Sequence, residues 1–289
     1  MATTTTTTLK KRFIAPALPQ PTQNFDVAYF QQFNNVLRLY FNQLDTLLGQ
    51  LVSVINDGSG ITFPYGAFHQ DGNTTLSSGI TNVSTTPISV ASTSGFPSSG
   101  YILIGSEIIQ FTGITTTTFT GITRGALGTT NVAHTAGAAV TEAQGTGSPT
   151  TIGTVLFNTT DFSNGVSVDP ANNANLVFSK TGIYNLQFSA QLLNFTTSED
   201  NVTFWLSQNG TDVEYSAGIE QVNSKHGSAP GAKIAAWNYL LEITSGDYIT
   251  LKWASDSGNT VVATYPAGTS PTHPVSPALI FTATFVSAP

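Results

Sequence analysis

The stretch NVTFWLSQNGTDVEYSAGI, residues 201–219, decides the fold class that we predict for this chain. Val202, Phe204 and Leu206 recur at every second position, which is the period of a strand with one buried face. Asn209-Gly210 follows directly, and this pair favours a two-residue β-hairpin turn because both residues tolerate positive φ. The stretch therefore predicts two antiparallel strands joined by a tight turn.

Similar patterns lie on both sides of this hairpin. Alternating apolar and polar runs occupy residues 175–195, 235–255, 260–265 and 278–288, and no helical period of useful length appears among them. About eight to ten strands in this part of the chain predict a sandwich or jelly roll over residues 154–289.

The composition agrees with an all-β protein. Charged residues make up 9% of the chain, against about 25% in typical soluble proteins, so neutral polar side chains must provide solubility. A net charge of −7 with only nine Lys and Arg residues argues against nucleic-acid binding, because neutralising phosphates needs a basic face. The one basic cluster is Lys10, Lys11 and Arg12.

The chain contains no cysteine, which excludes disulfides and thiolate metal ligands and fits a protein folded in the cytoplasm. It has neither the apolar core of a signal peptide near its start nor a run of about 20 apolar residues, so Sec secretion and a membrane span are not expected. P-loop, dinucleotide and nucleophile-elbow motifs are missing too. We therefore predict no cofactor, no metal and no catalytic residues.

Residues 1–24 combine a threonine run with three prolines, a composition that leaves a segment disordered on its own. Phe13, Ile14 and Leu18 interrupt this polar pattern. Two interpretations stay open. The segment is either a flexible tail or a docking arm that becomes ordered when its apolar residues enter a groove on a partner.

Residues 25–57 are predicted to form one long helix. Apolar residues recur there at alternating spacings of three and four for more than three heptads, which indicates a coiled-coil seam. The seam residues are Phe30, Phe33, Leu37, Tyr40, Leu44, Leu47, Leu51 and Val54. Asn24 or Asp26 is placed to cap the start, and Gly58 follows the end. Further apolar residues widen the stripe, which favours a parallel trimer over a helix packed on its own domain.

The remaining boundaries come from turn-rich segments. Residues 58–79 and 144–153 are rich in turn-forming residues and are predicted to be linkers. Between them, residues 80–143 alternate short strand-like runs with Gly, Pro and Asn, as in a small β-module of hairpins. The predicted fold is thus mainly β, with an extended arm, a coiled-coil helix, a small β-module and a jelly-roll head in a homotrimer.

The last part of the chain also carries short motifs of a known family. These are FSKTGIYNLQFSA (178–190), VTFWLSQNGTDV (202–213) and LLEITSGDYITLKW (240–253), followed by the terminal apolar strand ALIFTATF. Their Gly-x-Tyr and Gly-Asp-x-Ile steps occur in the family's order. The domain therefore resembles the C1q/TNF-like jelly roll, with a coiled coil in place of the collagen stalk of secreted animal members.

Two further segments are similar to virion proteins. ISVASTSGFPSSGYILIGSEIIQFTGI (88–114) and FTGITRGALGTTNVAH (119–134) look like a small β-domain of tailed-phage virion proteins. RFIAPALPQP (12–21) with NVLRLYFNQLDTLL (35–48) resembles the leading segment of such proteins, those of cyanophages among them. The resemblance implies an external virion protein that is made in the host cytoplasm.

We therefore predict a homotrimeric phage fibre without enzyme activity. Phe13, Ile14 and Leu18 would dock it on another virion protein of the capsid, neck or tail, and its head would attach to a host-surface glycan or protein. Two alternatives stay open: a capsid or neck decoration with a structural role, and a tailspike that degrades polysaccharide.

Residues that could support chemistry are scattered. The four histidines lie far apart and form no metal-binding pattern, so we expect them at the surface or in turns. A hydrolytic carboxylate pair would have to come from Asp161, Asp169, Glu199, Asp200, Glu214, Glu220, Glu242, Asp247 or Asp256, and no motif distinguishes any of them. Glu107 and Arg124 are predicted to form a structural ion pair in the middle module.

Exposed aromatic residues are the other candidates for binding. The predicted strands contain Trp205, Trp237 and Trp253, which are therefore expected in the core or in a trimer interface. Tyr265 lies in a loop and is the best-placed aromatic residue for a sugar platform. We predict a receptor-facing tip on loops 223–233 and 264–277, with Tyr265, His226 and His273 as its candidate residues.

Overall fold

The computed structural model describes residues 27–56 and 63–289, and the protein is mainly β. These residues belong to two compact units, a helical unit that ends at Thr62 and a β unit that begins at Phe63. The predicted docking residues Phe13, Ile14 and Leu18 lie outside the described residues, as do the predicted helix caps.

The helical unit contains α1 (Val27–Asn56), which agrees with the helix predicted at 25–57. Of the predicted seam, Phe30 is 45% exposed, and Phe33, Leu37, Tyr40 and Leu44 are partly buried. The side chains of the other three seam residues, Leu47, Leu51 and Val54, are outside the described part. Phe41 and Leu48, which widen the stripe, are exposed.

The β unit consists of 22 strands and one short 3-10 helix, Ala126–Gly128, in the part of the chain that the structure describes. In chain order the strands are β1 (Tyr65–Gln70), β2 (Asn73–Thr75), β3 (Ile88–Ser89), β4 (Gly100–Ile104), β5 (Glu107–Phe111), β6 (Gly113–Ile114), β7 (Thr118–Thr120), β8 (Ala139–Gly145), β9 (Gly153–Thr154), β10 (Thr159–Asn164), β11 (Val166–Asp169), β12 (Asn172–Phe178), β13 (Gly182–Asn194), β14 (Asp200–Gln208), β15 (Thr211–Asp212), β16 (Gly218–Val222), β17 (Gly231–Ile243), β18 (Tyr248–Ser255), β19 (Thr260–Ala263), β20 (Gly268–Thr269), β21 (Thr272–His273) and β22 (Leu279–Ser287).

Two large sheets make up most of this unit. The first runs in the order β10-β1-β22-β13-β19-β8-β4-β5, with β17 also paired to β13 and β2 to β8. The second runs β11-β12-β18-β14-β15, with β16 paired to β14 and β9 to β18. One apolar core contains Tyr184 and Phe281 from the first sheet with Phe204 and Trp253 from the second, so the two sheets form a β-sandwich.

Side-chain alternation explains why these sequences form a sandwich. In β13, Tyr184, Leu186 and Phe188 point into the core, while the residues between them are more exposed. The strand pairs with β17 along its whole length, Gly182 opposite Ile243 and Asn194 opposite Gly231. A slip of one residue would expose the apolar set, so the apolar pattern fixes the register.

The predicted hairpin at Asn209-Gly210 is confirmed. Both residues have positive φ, 51° and 83°, as the two-residue turn between β14 and β15 requires. Asn209 Nδ2 donates to Asp247 Oδ1 at 2.7 Å, and Asn209 Oδ1 accepts from the Tyr248 amide at 3.0 Å. The turn is therefore attached to the neighbouring β17–β18 connection as well.

The predicted middle module has a core of its own, which includes Ile88, Ile102, Phe111 and Phe119. Its strands nevertheless continue the first sheet of the sandwich, because β8 pairs with β4 on one side and with β19 on the other. A further apolar cluster, with Leu103, Ile108, Leu193 and Val261 among its members, spans this connection. Residues 80–143 are therefore part of the β unit and not a separate body.

The predicted linkers also differ from the structure. Residues 58–79 include β1 and β2, which pair with β10 and β8, and residues 144–153 begin inside β8. The turn signal at Asp71-Gly72 has another physical reason: a Cβ on Gly72 would lie 2.7 Å from Glu142 Oε2. This glycine permits a close approach of backbone to side chain, not flexibility.

Candidate functional site

Tyr265, the predicted sugar platform, is held in the connection between the middle region and the sandwich. Its amide donates to Ser276 O at 2.9 Å, and the Ser276 amide donates back at 3.0 Å. The ring is half-buried against the apolar cluster at the connection, and this burial raises the pKa of the phenol. Tyr265 thus contributes packing at this end of the molecule, and only part of its ring faces solvent.

His226 and His273, the other predicted receptor-facing residues, are both exposed, one in each of the two predicted loops. His226 exchanges backbone hydrogen bonds with Ala229 at 2.9 and 3.1 Å, which closes a tight turn around Gly227. His273 lies in β21, and its Nδ1 is 2.9 Å from Pro274 O. Among the described residues, no hydrogen bond or ion pair joins the two histidines.

Two clefts lie where the predicted tip loops meet the middle region. The first, here called the Lys225 cleft, has a volume of about 280 Å³ and is lined by Ser106, Thr129, Thr130, Phe195, Lys225 and Ser228, among others. The second has a volume of about 360 Å³ and includes His134 and Pro266 in its lining. Both predicted loops thus contribute to concave surfaces, the kind of shape that binds small ligands.

A buried ion-pair network supports the wall of these clefts. Arg124 binds Glu107 through two hydrogen bonds, Nε to Oε1 at 2.7 Å and Nη2 to Oε2 at 2.8 Å, so the predicted pair is confirmed. The amides of Gly125 and Val132 donate to the same carboxylate at 3.1 Å each, and His134 Nε2 lies 2.9 Å from Oε2.

The charges of this network are balanced inside the protein. Arg124 also donates to the carbonyls of Thr81 and Val132, at 2.7 and 2.6 Å. Burial alone would raise the pKa of Glu107, but the hydrogen bonds from Arg124 and its other donors outweigh burial and lower it. Glu107 is therefore an ionised structural anchor whose charge is satisfied internally.

His134 differs from the sequence prediction, which placed the histidines at the surface or in turns. Its side chain is 7% exposed and contacts Glu107, because strand pairing with Ile80 brings it under the β4–β5 turn. His69 also differs, since it is mostly covered and lies between two carboxylates, 3.3 Å from Asp71 and 3.1 Å from Asp161. A long-range pairing decides both positions, and local sequence gives no signal for it.

Several of the candidate carboxylates have structural partners. Asp200 is buried and accepts hydrogen bonds from the hydroxyls of Ser255 and Thr260 and from the Ser257 amide. Asp247 accepts from Gln208, Asn209 and the Thr244 amide, as a turn-forming residue does. No group of three or more His, Asp or Glu side chains in residues 27–56 and 63–289 is arranged to hold a metal ion.

A second candidate surface is the outward side of β13, β17 and β22, here called the uncharged face. Its side chains are Ile183, Asn185, Gln187, Ser189, Gln191, Ala232, Ile234, Ala236, Asn238, Leu240, Ile280, Thr282, Thr284 and Val286, and the exposed carboxylate of Glu242, opposite Ile183, bounds this face at the end of β17. Leu240 is 68% and Ile234 56% exposed. A shallow depression of about 420 Å³ crosses it between Ser189, Ala236 and Ile280.

The three predicted strand tryptophans divide between the core and the surface. Trp253 is buried in the sandwich, and Trp237 packs on the core beside Phe188. Trp205 alternates with the core residues of β14 and is partly covered on the outer side of the second sheet. Sequence reasoning missed Lys225 as a cleft residue, although its place in loop 223–233 was a signal.

Comparison with protein-family models finds no family that matches this chain, and no curated protein matches it either. In the described part of the chain, no helix combines the length and the apolar character that crossing a bilayer requires.

Proposed function

We propose that the protein is a homotrimeric fibre on the exterior of a phage particle. The N-terminal arm anchors it to another virion protein, α1 forms a three-helix stalk, and the β-sandwich is a C1q/TNF-like head that attaches to the host surface. The observation that carries this proposal is a long helix with an exposed apolar stripe, followed by a β unit with a broad uncharged face.

The helix supports assembly because its apolar stripe needs a partner. Phe41 and Leu48 are both more than half exposed, and the partly covered seam residues lie at heptad spacing beside them. Each such side chain contributes about 1.5–3 kcal/mol when it becomes fully buried. Packing against copies of the same helix buries the whole stripe at once, as in a coiled coil.

The uncharged face supports assembly of the head. Cross-strand neighbours on it form rows of apolar and neutral polar side chains, such as Ala236, Ser189 and Ile280. Depletion of charge with exposed aliphatic side chains is the composition of an interface core. A head that assembles through this face would continue the symmetry of the stalk.

The strand order supports the jelly-roll assignment. In the first sheet, β22 lies between β1 and β13, and β17 pairs on the other side of β13. In the second, β18 lies between β12 and β14, and β16 pairs with β14. The last strand thus pairs with the first, and the chain passes repeatedly between the two sheets, an order that is compatible with the double Greek key of a jelly roll.

Sedimentation of the full chain tests the trimer. One chain has a mass of 30.4 kDa, so a trimer is expected at about 91 kDa. Leu44→Asp should open the stalk, and Ala236→Arg should open the head, because each places a charge in a proposed interface. The double variant is expected to sediment as a monomer.

A matched control is Ala254→Arg, which makes the same change near the end of β18, on the outer side of the second sheet. It should remain trimeric. A wild-type monomer at micromolar concentration would overturn the proposed trimer. The same oligomeric state for Ala236→Arg and Ala254→Arg would show that the uncharged face is not the interface of the head.

Deletion of residues 1–24 tests the arm. The truncated protein should be a soluble trimer of unchanged stability that no longer incorporates into virions, because the helix and the β unit do not need the arm to fold. Electron microscopy of particles with labelled protein then distinguishes a tail fibre from a capsid or neck decoration by position. Incorporation at the wild-type level would show that attachment lies elsewhere in the chain.

A further inference from the structure

The Lys225 cleft contains a cation without an internal partner. The β unit has five basic residues. Arg124 pairs with Glu107, Lys233 with Glu220 at 3.1 Å and Lys252 with Asp212 at 2.7 Å. Lys180 lies over the ring of Phe285, 4.7 Å from its centroid. Lys225 alone has neither a carboxylate nor an aromatic partner among the described residues.

The hydroxyl groups around this lysine are also unused. Ser106, Thr130 and Ser228 line the cleft, and their hydroxyls form no hydrogen bond within residues 27–56 and 63–289. Thr129 differs, because its hydroxyl donates to Ala126 O at 2.8 Å and accepts from the Ile108 amide at 3.0 Å. Thr129 therefore holds the wall in place, while the other three hydroxyls face solvent and are available to a ligand.

The charge of Lys225 is not cancelled by its surroundings. No carboxylate belongs to the described lining of the cleft, and the carboxylate next in sequence to Ser106, that of Glu107, is buried and neutralised by Arg124. The protein as a whole has a net charge of −7, which repels anions. The cleft is thus a local exception where an anionic group meets one cation and several neutral hydrogen-bond donors.

We propose that the Lys225 cleft binds an acidic sugar residue of a host-surface polysaccharide. The ammonium of Lys225 pairs with the carboxylate or sulfate of that residue, and the hydroxyls of Ser106, Thr130 and Ser228 bind its ring hydroxyls. The buried ring of Phe195 contributes an apolar part of the floor. The volume of about 280 Å³ is just below the range of drug-sized pockets, so one sugar ring fits better than an extended chain.

This inference rests on the proposed attachment function, which it makes specific. A single cleft with one charge and few contacts binds weakly. Three copies on one trimer would raise the apparent affinity for a repeating polysaccharide by about 10²–10⁴-fold where the spacing allows simultaneous binding. Weak single-site binding and strong polymer binding are therefore expected together.

The test uses the full chain and defined saccharides. Isothermal titration with a galacturonate oligomer, a neutral glucose oligomer of equal length, and inorganic sulfate compares acidic sugar, neutral sugar and free anion. We expect binding of the galacturonate oligomer that weakens as salt increases, with at least tenfold weaker binding of the other two. A sulfated galactose oligomer serves as the second acidic probe.

The variants localise the binding. Lys225→Gln should weaken acidic-oligomer binding by about tenfold or more, as expected for loss of a charged hydrogen bond, and Thr130→Val should weaken it several-fold. Lys225→Arg should retain part of the binding of the acidic oligomer, because arginine keeps the positive charge. Lys233→Gln is the matched control, since it removes an equal charge from a lysine that already pairs with Glu220, and it should bind as wild type does.

Three outcomes would overturn the proposal: no binding of either acidic oligomer, equal binding of the neutral oligomer, or unchanged binding by Lys225→Gln. Binding of sulfate as strong as that of the oligomers would also overturn it, because the cleft would then hold an anion without recognising a sugar. Each of these outcomes leaves the trimer and arm experiments unaffected, so failure here is distinguishable from failure of the fibre proposal.

Discussion

Replacing Glu142 by Gln is expected to stabilise the protein at neutral pH. Glu142 lies in β8 with only 1% of its surface exposed, and its Oε2 has no hydrogen-bond partner among the described residues. Burial of the carboxyl, with the nearby charge of Asp71, raises its pKa from 4.5 to about 8, and polar contacts with Gln70 and Gly72 offset only part of that shift.

The size and direction of the effect follow from this pKa. Because the folded-state pKa lies above the unfolded value, the unfolded chain loses its proton first as the pH rises. As far as Glu142 is concerned, the free energy of unfolding is highest below pH 4.5 and decreases until about pH 8. At about 1.36 kcal/mol per pKa unit, the loss is about 3 kcal/mol at pH 7 and about 5 kcal/mol above pH 8. Glu142→Gln removes this loss, since the amide does not ionise.

Thermal unfolding of the full chain at a fixed protein concentration measures the difference. For a β unit of this size, about 3 kcal/mol corresponds to a rise in Tm of about 6–12 °C at pH 7, with little change at pH 4.5. Glu199→Gln, at an exposed loop position, is the control and should be neutral at both pH values. Equal stabilisation at pH 4.5 and pH 7, or none at pH 7, would refute the reasoning.

Two further predictions concern the ion-pair network and the hairpin. Arg124→Leu should lower the free energy of unfolding by about 3–5 kcal/mol at pH 7, measured by urea denaturation, because it leaves the buried Glu107 carboxylate unpaired. The pKa of Glu107 is lowered in the folded protein, so the stabilisation by its ion pair is lost as the pH falls below 4.5. The difference between the variant and the wild type should therefore shrink in acid. Asn209→Ala should be less stable than Asn209→Gly by about 1 kcal/mol, because both variants lose the contact to Asp247 but only alanine is strained at positive φ. Thermal unfolding measures the difference, and equal Tm values for the two variants would contradict the prediction.

The fold class could be predicted from the sequence because its signals are local. Alternation along β13, the turn at Asn209-Gly210 and the heptad spacing of α1 each depend on residues that are close together in the chain. Such patterns decide which segments become strands or helices and which side of each is buried. The predicted ion pair of Glu107 and Arg124 belongs to the same class, since both residues lie within one short module.

The boundaries predicted within the β unit are wrong because the sheet there depends on pairing between distant segments. β8 and β19 are more than a hundred residues apart, and their pairing joins the middle region to the first sheet of the sandwich. β1 likewise pairs with β10 and β22, two strands that lie far from it in the sequence. Glycine-rich stretches were interpreted as linkers, yet Gly72 is required for a close approach to Glu142.

The candidate site shows the same division. The sequence alone placed loops 223–233 and 264–277 at a tip, because they are turn-rich segments between strands. Only the tertiary structure brings Lys225 beside Ser106 and Thr130 from the middle region and leaves it without a carboxylate partner. The amino-acid composition gives only the number of charged residues. Whether the charge of a lysine is neutralised or available to a ligand depends on which distant side chains the fold brings within reach of it.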